Sequence, residues 1–169
     1  MSANVRINER NGASPGSLTN GITNVNFGSV DSANLNAVNN PLQLDDYSFE
    51  KWWEFEVTAM GDASVVKNIK VWRTSITFGE GATWLTNARE SLYGGAETYA
   101  TPVDTVSSIA TEAMPTTEPT GPNVGIGGSL TGELTAPGKS DYIVSQIKTG
   151  AADTVKGDFT FHYKYTEVL

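Results

Sequence analysis

The chain has 169 residues, 38% of them apolar, and a formal net charge of −8, which suits one ordinary domain with long polar stretches outside its core. Eleven Lys and Arg against nineteen Asp and Glu argue against nucleic acid and anionic membranes as partners, since both are recognised by clustered cations. No cysteine is present, which excludes disulfides, thiol nucleophiles and thiolate metal sites.

The start, MSANVRINERNG, has no apolar run of the kind a signal peptide needs. No window approaches the roughly 18 apolar residues of a membrane span. A protein made in the cytosol is the expectation. Residues 1–48 are rich in Asn, Gly and Ser, residue types that favour turns and left-handed backbone. They are expected to form an arm of loops packed on the domain, with one short strand at Ile22–Phe27. An arm that orders only against a neighbouring subunit is the alternative.

Residues 49–169 read as the domain proper. FEKWWEFEVTAM alternates over residues 49–60, placing Phe49, Trp53, Phe55, Val57 and Ala59 on one face. Glu50, Trp52, Glu54, Glu56 and Thr58 share the other face, which reads as wet. A second strand is expected over 65–78. Gly61 and Asp62 between the two suggest a hairpin, in which Trp53 faces Val71, Phe55 faces Ile69, Glu54 faces Lys70 and Trp52 faces Trp72. Strands placed in different sheets and joined by an arch would overturn that register.

Further along, Thr86–Tyr93 suits a helical turn before Gly94 and Gly95, and a short strand is expected near Glu97–Thr101. Four prolines, at 102, 115, 119 and 122, make residues 102–123 a crossing loop with one short strand near Val106–Ala110. Strands are expected again at 129–135, 142–148 and 159–168. The last carries Phe159, Phe161, Tyr163 and Tyr165 on one face. Several such strands separated by turn signals indicate an all-β chain folded as a single sandwich.

No catalytic pattern emerges. The single histidine, His162, reads as a solvated residue on the polar face of the last strand, and no nucleophile-elbow motif accompanies it. GIGGSLTG (125–132) lacks the third glycine of a dinucleotide fingerprint and has no GK[ST]. Asp45 with Asp46, and Asp31 with Asn34 and Asn36, read as solvated loop groups without calcium-loop spacing. No cofactor and no enzymatic activity are expected.

Trp52 and Trp72 remain. They could be covered by the Asn-rich arm, form a contact patch for another protein, or stack sugar rings.

SLTGELTAPGKSDYIVSQIKTGAADTVKGDFTFHYKYTEV resembles the last strands of an immunoglobulin-like sandwich. YSFEKWWEFEV with VVKNIKVWRT is similar to the paired front strands of small β-sandwich virion proteins of tailed phages. The resemblance covers residues 47–73 and 129–168 and carries no catalytic signature. It implies a structural part of a virus particle: a capsid decoration (cement) protein bound to the major capsid protein, or a tail or baseplate component. It also implies self-association, commonly as a trimer. A carbohydrate-binding or adhesive module using the same tryptophans is the alternative. Expected contact residues are Trp52 and Trp72, with Asn20, Asn24, Asn26, Asn34, Asn36, Asn39 and Asn40 of the arm.

Overall fold

The computed structural model describes residues 1–77, 81–89, 95–151 and 158–169. Among them the chain forms β1 (Asn4–Asn11), β2 (Ser17–Thr19), β3 (Lys51–Ala59), β4 (Val65–Thr77) and β5 (Thr83–Thr86). After these come β6 (Glu112–Ala113), β7 (Glu133–Leu134), β8 (Gly138–Lys139), β9 (Ile143–Lys148) and β10 (Asp158–Val168), with no helix among the described residues. The large sheet runs β2-β1-β3-β9-β5-β6, with β8 also on β3, and the small sheet runs β10-β4-β7. Every pairing is antiparallel. Both sheets contribute to one apolar core, with Trp53, Phe55, Val57, Trp84, Ile143 and Ile147 from the large sheet and Val66, Ile69 and Val71 from the small one. The fold is an all-β sandwich.

The hairpin between the first two long strands does not form. β3 is flanked by β1 on one side and by β8 and β9 on the other, while β4 pairs with β10 and β7. Both edges of β3 are therefore taken, and the chain crosses between sheets at residues 60–64. Gly61 makes this arch possible: its φ is +60°, and a Cβ there would overlap the Met1 carbonyl. The Asp62 amide donates to that same carbonyl at 2.8 Å. Trp53 and Phe55 thus share the core with Val71 and Ile69 without sharing a ladder. On β4, Asn68 at φ +55° interrupts the alternation, so that Val66, Ile69 and Val71 all reach full burial.

The expected arm contains a strand of the large sheet. β1 pairs with β3 from Asn4 to Arg10 and places Val5, Ile7 and Glu9 opposite Val57, Phe55 and Trp53. Ile22–Phe27 is not a strand, yet its last residue is core. The Phe27 ring meets Trp53 at 5.7 Å and Trp84 at 5.0 Å, both edge-on, an arrangement aromatic rings favour.

Other expected elements shift. Glu97–Thr101 and Val106–Ala110 form no strand, and only Glu112–Ala113 pairs, on β5. Of 129–135 only β7 is a strand, and Ser129 makes an isolated bridge to Ile126. The helical turn at Thr86–Tyr93 lies partly outside the described residues; Thr86 closes β5 and residues 87–89 are not helical.

Candidate functional site

Trp52 is not a surface residue. It is fully buried on the outer face of the large sheet, in a second core with Tyr99, Ala110, Tyr142 and Val144. Its ring meets Tyr99 at 5.2 Å and Tyr142 at 5.6 Å. The proline-rich crossing supplies the cover, with Ile109 and Ala96 packed at the margin. Trp52 Nε1 donates to Glu50 Oε2 at 3.0 Å, and Ser107 Oγ donates to Glu50 Oε1 at 2.5 Å. Ser107 Oγ in turn accepts the Ala110 amide at 2.8 Å. The first half of the face that reads as wet is dry, because Glu50 has Ser107 and Glu54 has Lys139 as distant partners, whereas Glu56, bound by Arg6, is half-buried and Thr58 is exposed. A buried carboxylate is tolerated when its hydrogen bonds are satisfied in this way.

Trp72 lies elsewhere, half-buried on the outer face of the small sheet. It pairs with His162 across the β4–β10 ladder, and the two rings stack at 5.1 Å with an 8° interplanar angle. Thr74 Oγ1 lies 3.0 Å from His162 Nε2. Trp52 and Trp72 therefore belong to different sheets and cannot form one platform.

The asparagines mostly build the loop that carries them. Asn34 Oδ1 accepts the Thr23 amide at 2.6 Å, and Asn24 Oδ1 accepts the Asn26 amide at 3.1 Å. Asn26 Nδ2 donates to the Leu35 carbonyl at 2.9 Å, and Asn36 Oδ1 accepts the Val38 and Asn39 amides at 3.0 and 3.2 Å. Asn40 Nδ2 donates to the Asn36 carbonyl at 3.0 Å. Asn20 and Asn39 are exposed. Asn34 also holds φ +54°, a conformation asparagine accepts more readily than most residues.

Among the polar residues that this loop and the crossing expose stand several apolar ones. Val30, Val38 and Leu44 are exposed on the Asn-rich loop, and Val103 and Val106 on the crossing. The other exposed large apolar residues of the described chain are Met1, Tyr163, Val168 and Leu169. Both loops are tied to the entry of β3: the Phe49 amide donates to the Gly28 carbonyl at 3.3 Å, and the Glu50 amide to the Val103 carbonyl at 2.8 Å. They project from the same end of the sandwich, together with Asp45, Asp46 and Asp104. Lys148 pairs with Asp45, and that hydrogen bond holds its ammonium pKa above the usual lysine value. Singly, these valines fit any loop, so the sequence does not single them out; only the shared anchorage at residues 49 and 50 groups them.

Beneath the loop end lies a buried ion pair. Lys51 Nζ donates to Glu9 Oε1 at 2.8 Å and to the Ser32 carbonyl at 2.6 Å. Asn11 Nδ2 donates to Glu9 Oε1 at 2.8 Å and to Asp31 Oδ1 at 2.6 Å. The Gly12 amide donates to Asp31 Oδ2 at 2.6 Å. The loop is thus held to the sheet through its own backbone and through Asp31.

On the outer face of the large sheet a shallow open groove of about 610 Å³ is lined by Arg6, Glu56, Val57, Thr58 and residues 137–139. Its cations are neutralised by Glu56 and Glu54, and the Arg6 hydrogen bond holds the Glu56 carboxyl below the usual carboxylate range. Among the described residues no group of three or more His, Asp or Glu is arranged to hold a metal ion, and no helix is long and apolar enough to cross a membrane. No family model, curated protein or solved structure matches the chain.

Proposed function

We propose that the chain is a non-enzymatic structural protein of a virus particle, a capsid decoration protein that stabilises the head shell through protein–protein contacts. The immunoglobulin-like type of the sandwich and a location on the virion belong to the same reading. One observation carries it: two loops hydrogen-bonded to the entry of β3 expose five apolar side chains beside acidic groups. Apolar side chains held on an ordered scaffold lose little entropy on docking. A shell surface that is apolar with basic surroundings fits such a face. A tail or baseplate position would use the same end.

Co-sedimentation with head shells assembled from the major capsid protein tests the reading. Val38→Asp combined with Val106→Asp is expected to weaken binding at least tenfold while leaving the melting temperature within about 2 °C, since both residues are exposed. Trp72→Ala is expected to bind as the parent does. The opposite pattern moves the contact to the small sheet, and no binding by the parent removes the decoration role. For the alternative of sugar stacking, Trp52 is buried beneath its cover and only Trp72, half-buried and stacked on His162, is left to meet a sugar ring.

A further inference from the structure

β10 is eleven residues long and forms the edge of the small sheet. Its ladder to β4 is regular from Phe159 to Lys164, between irregularities at Asp158/Phe159 and at Lys164/Thr166. Among the described residues, no backbone hydrogen bond reaches its other edge between Phe159 and Glu167. Long bare edges are normally blunted by proline, by charge or by a covering segment. β10 has no proline, and within the regular stretch Lys164 is its single lysine.

The strand is also poorly covered. No residue of β10 is buried, although its inward face carries Phe159, Phe161, Tyr163 and Tyr165. Tyr163 is 42% exposed even while its ring lies 5.8 Å from Phe55. An edge with unpaired backbone and half-open aromatics gains from a further strand.

We propose that β10 pairs antiparallel with β10 of a second copy, joining two small sheets about a two-fold axis at Phe161. Length selects the occupant. The other edge or appended strands, β2, β6, β7 and β8, have two or three residues each, so among the described strands only β10 matches β10. Charge favours one register, since among centres from Phe159 to Tyr165 a centre at Phe161 alone opposes a carboxylate of the strand to its lysine. Directly opposed residues must share a face, so the axis passes through a residue and pairs positions equally far from it. Centred on Phe161, Asp158 of each copy opposes Lys164 of the other, twice per dimer. Centring on His162, Tyr163 or Lys164 opposes His to His, Lys to His or Lys to Lys.

In the chosen register Phe161 meets Phe161, and Phe159 meets Tyr163, which covers the open aromatics. On the outer face Thr160 opposes His162, bringing the two Trp72–His162 stacks near the axis. The pairing stands on β10 alone and is independent of the virion reading.

Sedimentation equilibrium of the full chain from roughly 1 µM to 1 mM tests it. The parent is expected to pass from monomer to dimer, and the His162 ring proton signals to shift with the same midpoint. D158K is expected to raise the dissociation constant at least tenfold, because two Lys–Lys oppositions replace two ion pairs. D158K combined with K164D is expected to restore dimerisation. Melting curves establish that each variant is folded; if K164D disturbs the Glu118 contact of Lys164, D158K alone still reads the register. A parent monomeric throughout the series overturns the proposal. So does a dimer, or a trimer, indifferent to D158K.

Discussion

Trp52→Ala is expected to cost about 3–5 kcal/mol of folding stability, the range for truncating a fully buried large aromatic. Its side chain has no exposed surface, and Tyr99, Tyr142, Val144 and Ala110 enclose it. Total stabilities of single domains lie near 5–15 kcal/mol, so a large share would be lost. Urea unfolding followed by circular dichroism measures it; a loss below about 1 kcal/mol would mean that the crossing is not packed on this face.

A comparison with Trp53 separates packing from hydrogen bonding. Trp52 Nε1 is one of the donors to the buried Glu50 carboxylate, whereas Trp53 Nε1 is buried with no partner. Trp52→Phe leaves Glu50 short of a donor, which costs roughly 1–3 kcal/mol. Trp53→Phe removes an unsatisfied donor and loses no bond. The Trp52 variant is therefore expected to be the less stable of the two.

The same residues show where sequence reading succeeds and where it stops. The alternation at 49–60, 65–78, 142–148 and 159–168 locates β3, β4, β9 and β10 closely, because period-two patterning follows from a strand with a buried face. It also places Trp53, Phe55 and Val57 on the core side. It does not place the partners. Gly61 and Asp62 suit a hairpin and an inter-sheet arch equally, and what decides is that β1, β8 and β9 already occupy the edges of β3.

β1 is hard to read because its inward residues run Val5, Ile7, Glu9, and a glutamate is a weak core signal. The alternation of Arg6, Asn8 and Arg10 on the other side is the signal that marks it. The glutamates of β3 mislead in the opposite sense. The burial of Glu50 and Glu54 rests on Ser107 and Lys139, 57 and 85 residues away. The Trp72–His162 stack likewise depends on β4 pairing with β10, which no local pattern encodes. The acidic charge and loop composition leave the exposed apolar residues of the two loops illegible as a group.

Lys51→Met is expected to destabilise the chain by about 3–5 kcal/mol, the cost of leaving one charge of a buried pair without its partner. Both side chains are 1% exposed. With the ammonium gone, Glu9 keeps only the Asn11 amide on Oε1, and its Oε2 already has no partner. The Ser32 carbonyl also loses its donor, so residues 28–40 are expected to lose protection in hydrogen exchange first. Unchanged protection there would show that Phe27, Asp31 and the Gly28 carbonyl hold the loop without Lys51.

The partner variant behaves differently. Burial pushes the Glu9 carboxyl pKa up, against the opposing pull of Lys51 and Asn11, with Asp31 adding to the rise. The groups around it are Lys51, Asp31 and, within electrostatic reach, Tyr99, whose phenol is raised by its own burial first. A carboxyl raised on folding contributes stability that is present below its unfolded value and is lost as pH rises through its folded one. Glu9→Gln fixes the neutral form. It should therefore match the parent below the unfolded carboxyl value and gain on it as pH rises above that value, where the parent must ionise a desolvated group. Chemical denaturation of both proteins at several pH values reads the difference directly. A gap that widens in the parent's favour as pH rises would instead show that the Lys51 ion pair outweighs desolvation. The asymmetry between the two substitutions comes from position: Lys51 holds the loop backbone as well as the carboxylate, whereas Glu9 holds only side chains.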